Sequence, residues 1–148
     1  MITLRNFNIS DAPVFLQNSR SNMNVKEAEK MICRWNQKLE NGKYFEMFAV
    51  LSGDEMVGMI SLYQHSAEVI SIGPEIFEGY RKKGFAKAAM PRALDIAAEK
   101  GYKIVFQQIR VDNSASIALH SSLGFETSGQ TYTNAKGNTV AIYLKSLL

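Results

Sequence analysis

Three consecutive strand patterns, followed by a helix and a further strand, most constrain how this chain can fold. The segments YFEMFAVL and EMVGMISLY flank SGD, which predicts a hairpin, and EVISIGPEIF is another apolar, β-branched strand. Residues 83–100 are alanine-rich and predict a helix, after which KIVFQQIRV predicts a strand. An antiparallel meander is thus joined to a β-α-β unit, whose crossover should be right-handed. These connections predict a mixed sheet.

The remaining segments extend this α/β arrangement at both ends. Residues 2–7 alternate as a strand, SDAPVFLQN starts a short helix, and residues 25–40 carry a helical apolar stripe with Gly42 in a C-cap position. NSASIALHSSLGF predicts a helix from an Asn113 cap to Gly124, and two strands surround NAKGN. The predicted order is β-α-α-β-β-β-α-β-α-β-β, in one α/β domain spanning residues 1–148.

Two prolines predict local irregularities in this arrangement. Pro74 follows Gly73 inside a strand pattern, so we expect a bulge or a splay of the strands there. Pro91 lies inside the helix pattern of residues 83–100 and has no N–H to donate. The helix should therefore kink or open within residues 87–91, or become regular only near Pro91.

Composition excludes several classes of function. A net charge of +3 is too small to indicate nucleic-acid binding, and no apolar run approaches the length of a membrane span. The N-terminal residues lack a signal-peptide pattern, and a single cysteine, Cys33, fits a reducing compartment. One cysteine and two histidines make a zinc cage very improbable. We therefore expect a cytoplasmic protein with no metal, no membrane partner and no nucleic-acid partner.

The segment GYRKKGFAKAAM places cations where a helix N-terminus is already partly positive. A solvated turn is one interpretation of RKK. A nucleotide-binding loop is another, but the spacing fits neither a P-loop nor a G-x-G-x-x-G fingerprint. In the third interpretation, small residues at positions 84 and 86 let an anion approach the backbone N–H groups, with cations around it. A diphosphate would account for this pattern.

With this segment and those that follow, the chain resembles the GNAT superfamily of acetyl-CoA-dependent N-acetyltransferases. RKKGFA satisfies the family signature [QR]-x-x-G-x-[GA], and IGPEIFEGYRKKGFA resembles the strand-to-loop segment of its ribosomal-protein-type members. NSASIALHSSLGF is similar to a later family segment, in which an asparagine opens a helix that ends in Leu-Gly-Phe. The order of elements also agrees over essentially the whole chain, so the expected fold is a GNAT-like sheet with a splayed central strand pair.

The resemblance implies acetyl-CoA as the acetyl donor and a primary amine, at a protein N-terminus or on a small molecule, as the acceptor. The pyrophosphate would bind the backbone amides of residues 82–87, the pantetheine arm would pair with the splayed strand near Ile76, and Asn113 would contact the cofactor as well as cap its helix. The implied cofactor-binding residues are Ile76, Arg81, Lys82, Lys83, Gly84, Phe85, Ala86, Lys87 and Asn113.

Candidate acids and bases for acetyl transfer are few. Asn113, Ser116 and His120 share one helix face, and many family members carry a tyrosine acid at the position of His120. His120 and Ser116 are therefore alternative proton donors for the departing thiolate, although a partly exposed helix histidine is often an ordinary surface residue. Glu75 is the first candidate for the base. The glutamate that ribosomal-protein-type members often carry two residues before the strand glycine is replaced here by Ser71.

A second class of function stays open from the sequence. The missing tyrosine favours a catalytically silent module that binds acyl-CoA without turning it over. No motif selects an acceptor amine, and either a monomer or a homodimer fits the pattern.

Overall fold

A computed structural model of the chain describes residues 1–19 and 21–148. The strands are β1 (Ile2–Asn6), β2 (Leu39–Glu40), β3 (Lys43–Ser52), β4 (Glu55–Gln64), β5 (Val69–Ile76), β6 (Ile104–Arg110), β7 (Thr131–Thr133) and β8 (Thr139–Ser146). The α-helices of the described ranges are α1 (Ala12–Asn18), α2 (Val25–Trp35), α3 (Phe85–Glu99) and α4 (Ser114–Ser122), and short 3-10 turns cover Ile9–Asp11 and Glu78–Tyr80. Apart from the short β2, this order is the predicted one.

The strands form one mixed sheet with helices on both faces. Its order is β1-β3-β4-β5-β6-β8-β7, with β2 paired to β3 off this path. Every pairing is antiparallel except that of β5 with β6, which the helix α3 connects. One core lies between the sheet and α3 and α4, around Ile60, Ile70 and Met90. A second core lies under α1 and α2, around Phe7 and Ile32. The predicted mixed sheet is confirmed.

The helix predicted for residues 25–40 is shorter than expected. A capping box between Asn24 and Glu27 starts it, and it ends at Trp35. Gly42 is not its cap, because Gly42 (φ +76°) forms the turn between β2 and β3 together with Asn41 (φ 52°). The dipeptide Asn-Gly is a strong hairpin signal, and it outweighs the helical stripe here.

Of the two alternatives predicted for Gly73-Pro74, the structure shows the splay of β5 and β6 and not a bulge. Pairing of β5 with β6 stops at Ile70 and Val105, whereas β5 pairs with β4 without a register shift from Ile70 to Ile76. Backbone groups along a strand alternate in direction, and those of Ile72 point toward β6. The same holds for Pro74, so its missing N–H falls on the splayed side and leaves the ladder with β4 intact.

The helix α3, at 15 residues, runs from Phe85 through Pro91. The expectation that it becomes regular only near Pro91 is therefore wrong. Proline provides no N–H for the carbonyl of Lys87 one turn earlier. Neither α3 nor any other helix in the described ranges is long and apolar enough to cross a membrane.

Candidate functional site

A cleft of about 790 Å³ opens where β5 and β6 separate, between the start of α3 and one face of α4. Most of the predicted site residues line it: Ile76, Arg81, Lys82, Gly84, Phe85, Ala86, Lys87, Asn113 and Ser116. Glu75, Lys83 and His120 do not. The cleft thus brings together the motif at residues 81–87 and the start of α4 at Asn113, which are 26 or more residues apart in the sequence.

Gln107 bridges β5 and β6 just beyond their last backbone pair, and sequence reasoning missed it. Its side-chain amide replaces a backbone pair, because Oε1 accepts from Ile72 N at 3.0 Å and Nε2 donates to Ile72 O at 2.6 Å. Gln107 is buried at 6% exposure. The sequence did contain a signal for this contact, namely a glutamine at an inward position of KIVFQQIRV. A buried side-chain amide requires hydrogen-bond partners.

Beyond Ile72, the edge of β5 that faces the cleft carries few free polar groups. Pro74 offers a carbonyl but no N–H. Ile76 offers its N–H, while its carbonyl accepts from Arg81 Nε at 2.9 Å. The edge therefore presents one acceptor and one donor to a ligand that carries amide groups, and Arg81 ties the following loop to the strand end.

The start of α3 forms a cationic cradle. Gly84 is the N-cap with φ +82°, and a Cβ built there meets no atom within 4 Å, so the space in front of the backbone is open. The first N–H groups of a helix have no partner within the helix and attract anions. Arg81, Lys82 and Lys87 line the cleft, and no carboxylate does among the described residues. The arrangement is suited to a diphosphate.

Lys83 departs from its predicted place. Its side chain does not line the cleft, although its Nζ lies 5.9 Å from the ring centroid of Tyr80, a cleft residue, in a cation–π contact. The cations that face the cleft are therefore those on either side of Lys83 in the sequence.

The start of α4 brings two polar side chains to the cleft. Asn113 Oδ1 accepts from Ser116 N at 3.1 Å, which confirms the predicted cap. The amide nitrogen of Asn113 is not used by this cap. Ser116 lies on the same face, one turn further along the helix.

His120 is buried at 3% exposure, so the expectation of partial exposure is wrong. Its Nε2 lies 3.1 Å from Gln107 Nε2, its Nδ1 lies 2.8 Å from the carbonyl of Ser116, and its ring packs against Phe125. Since Gln107 Nε2 can only donate, His120 Nε2 accepts and Nδ1 carries the proton. Burial lowers the pKa of His120, against an opposing hydrogen bond to Ser116. The neutral ring donates its proton inside the protein.

Glu75 lies on the face of the sheet opposite the cleft. It pairs with Met59 in register, its side chain is exposed, and strand alternation separates it from Pro74 and Ile76. A role as base would require the acceptor to approach from the α1–α2 side, and that role stays a prediction.

No group of three or more histidine, cysteine, aspartate or glutamate side chains is placed to hold a metal ion within residues 1–19 and 21–148.

Comparison with known proteins identifies the family of this chain. A family model described as an acetyltransferase (GNAT) domain matches residues 1–126. The SPβ prophage-derived uncharacterized N-acetyltransferase YokL of Bacillus subtilis (strain 168) is 32% identical over 139 residues, which cover 87% of this chain and 78% of that protein.

Solved structures share the fold at lower identity. An acetyltransferase from Salmonella typhimurium that modifies the N-terminal serine of a ribosomal subunit protein has a TM-score of 0.81 at 20% identity, covering 98% of this chain and 94% of its own. The spermidine N-acetyltransferase of Vibrio cholerae, in complex with CoA and spermine, has a TM-score of 0.78 at 17% identity, covering 99% and 95%. The chain belongs to the GNAT acetyltransferase family.

Proposed function

We propose that this protein transfers the acetyl group of acetyl-CoA to a primary amine. The observation that carries the proposal is the cleft at the splay of β5 and β6, where a cationic helix start and an unpaired strand edge face one cavity. The spermidine N-acetyltransferase of Vibrio cholerae, which shares this fold, binds CoA and spermine in its structure.

The residues present fit the two ends of acetyl-CoA. The diphosphate would bind at Gly84 and the first N–H groups of α3, with Arg81, Lys82 and Lys87 around it. The amide-bearing arm would use the N–H of Ile76 and the carbonyl of Pro74, completing a ladder that β6 leaves open. Asn113 would donate its free amide nitrogen.

Acetyl transfer requires a neutral amine. At pH 7 a lysine amine with a pKa near 10.4 costs about 4–5 kcal/mol to deprotonate, and a chain-terminal amine near 8 costs about 1 kcal/mol. A terminal or otherwise weakly basic amine therefore needs the least help from the protein. We propose an acceptor of that class, on a protein N-terminus or a small molecule.

The departing thiolate needs a proton or a hydrogen-bond donor. Ser116 is placed for this role, because it lines the cleft and its hydroxyl can donate. His120 is less well placed, since its proton already bonds the Ser116 carbonyl at 2.8 Å. We therefore assign the donor to Ser116.

We further propose that the protein works in the cytoplasm, without nucleic-acid or membrane partners, as a monomer or homodimer. A free and exposed Cys33 supports a reducing compartment.

The proposal is tested by two measurements on one preparation. Acetyl-CoA should raise the melting temperature, and desulfo-CoA should do so nearly as well because the cradle recognises the diphosphate. Free thiol should then be released with at least one class in a panel of peptide N-termini, amino acids, polyamines and aminoglycosides. A thermal shift without thiol release from any class would favour the silent acyl-CoA-binding module. That alternative is supported by His120, whose proton is hydrogen-bonded inside the protein.

A further inference from the structure

A second histidine lies at the point where β5 and β6 separate. Their last pair is Ile70 with Val105, so Ser71 and Phe106 are the first residues beyond it. His65 Nε2 lies 2.6 Å from Ser71 Oγ, and Ser71 Oγ donates to the carbonyl of Phe106. His65, which follows the end of β4, is thus anchored to both separating strands.

These contacts fix the proton on the His65 ring. A serine hydroxyl has one proton, and that of Ser71 is used at the Phe106 carbonyl. Ser71 must therefore accept from His65, so Nε2 carries the ring proton. The other nitrogen, Nδ1, is left with a lone pair, and it has no hydrogen-bond partner within the described part of the chain. The neutral ring is oriented as a proton acceptor.

The surroundings hold the ring in place and keep it neutral. The rings of Tyr63 and Phe106 meet it edge-on, with centroids at 5.1 and 5.4 Å. Burial is the largest cause that lowers the pKa of His65, and the ammonium of Lys43, whose Nζ donates to the His65 carbonyl, lowers it further. Among the described residues, the charged and titratable groups in contact with His65 are Lys43, at its carbonyl, and Tyr63, at its ring. His65 is neutral at pH 7.

His65 and the donor cleft lie on opposite sides of the same opening. The cleft is built from even-numbered residues of β5, Pro74 and Ile76, whereas Ser71 points to the other face. On the cleft side, a chain of hydrogen-bond contacts leads from Ser116 to the opening. Ser116 contacts His120, His120 contacts Gln107, and Gln107 bonds the backbone of Ile72. A ligand arm that starts at Gly84 and follows β5 passes Ile76 and then Pro74 on its way to the opening.

We propose that Nδ1 of His65 accepts the proton that the acceptor amine loses during acetyl transfer. The inference rests on the proposed function. The amine nitrogen forms a bond to the thioester carbonyl carbon, and the carbon–sulfur bond breaks. The nitrogen passes one proton to Nδ1, which returns it to water, and the thiolate takes one proton from water, either directly or through the Ser116 hydroxyl, which water reprotonates in the same transfer. The products are an amide and free CoA. Ser71 is a positioning residue, since it fixes which ring nitrogen is unprotonated.

The test compares His65→Gln with the wild type, using the panel amine that gives the fastest thiol release. Glutamine keeps a donor for Ser71 but is not a base, so kcat should fall by about 10²–10⁴-fold. The thermal shift caused by acetyl-CoA should be unchanged, because His65 does not line the cleft. The adjacent exposed Ser66→Ala is the matched control and should keep wild-type turnover.

The pH profile separates a base from a structural histidine. Below the pKa of the amine, log kcat/KM of the wild type should fall by about one per pH unit, and by about two below the pKa of His65, because two groups must then be unprotonated. His65→Gln should keep the slope near one throughout. Ser71→Ala should lower kcat by a smaller factor and keep the steeper limb.

Wild-type kcat in His65→Gln, or an unchanged steep limb, would overturn the role of His65 while leaving the proposed function standing. Absence of thiol release by the wild type with every amine would overturn both. A melting temperature measured for each variant separates loss of folding from loss of turnover. If His65→Gln does not fold, Ser71→Ala decides, and wild-type kcat in that variant overturns the proposal.

Discussion

Replacing Gln107 with leucine should cost the protein much of its stability. The side chain makes three buried contacts, two to the backbone of Ile72 and one to His120 Nε2. Leucine keeps a similar volume but leaves all three groups without partners. Because Ile72 lies between β4 and the splay, no other strand is placed to satisfy it.

The magnitude follows from the groups left unpaired. Each buried polar group that loses its partner costs about 1–3 kcal/mol, and the added apolar contact of leucine offsets part of this. We expect a net loss of about 3–5 kcal/mol in the free energy of unfolding. For a chain of this size that corresponds to a fall of about 6–20 °C in melting temperature.

Thermal and urea unfolding of Gln107→Leu and Gln108→Leu provide the assay. Gln108 is the next residue on β6, but its side chain is exposed on the opposite face, so its replacement should change stability by less than about 0.5 kcal/mol. Equal melting temperatures for the two variants would refute the reasoning, because Gln107 would then not hold the strands at the splay.

Three further substitutions test the cradle at Gly84, the proton donor Ser116 and the buried His120. Gly84→Val should abolish the thermal shift caused by acetyl-CoA, because the valine side chain enters the open space in front of the cradle. Valine at φ +82° should also lower the free energy of unfolding by about 1–2 kcal/mol. Full acetyl-CoA affinity of this variant in a thermal-shift titration would contradict the cradle. Ser116→Ala should lower kcat with little change in acetyl-CoA affinity, and unchanged steady-state kcat would leave the thiolate to water. Burial lowers the pKa of His120 in the folded protein. Below pH 6.5, the usual pKa of about 6.5 for histidine, the unfolded state therefore binds more protons than the folded state, and stability should fall as the pH drops. Urea unfolding at several pH values should show a smaller fall for His120→Gln.

Features determined by neighbouring residues were predictable from the sequence. The loop before α3, the Asn113 cap and the hairpin around Gly53 each depend on a few adjacent residues, and the structure places them as expected. The end of α2 was missed although its signal was local, because the helical stripe of residues 25–40 overlaps the Asn-Gly turn at Asn41. Two periodic patterns competed there, and strand pairing with β3 decided between them.

Features that depend on distant residues were not predictable. Gln107 meets Ile72 across 35 residues of sequence, and Ser71 meets Phe106 across the same separation. Helical periodicity placed His120 on the face of Ser116, but it could not show that the ring turns inward toward Gln107. The loop at residues 81–87 was thus predictable from a motif, whereas the contacts of Gln107, His120 and His65 depend on how the strands separate.

The proposed function is the transfer of acetyl groups to amines in this cleft. The most direct measurement incubates the protein with acetyl-CoA and each amine of the panel, and follows free CoA and acetylated amine together by mass spectrometry. At least one amine should gain a single acetyl group in an amount equal to the CoA released, and Gly84→Val should prevent both. Thermal protection by acetyl-CoA with no acetylated product from any amine would contradict the proposed acetyl transfer.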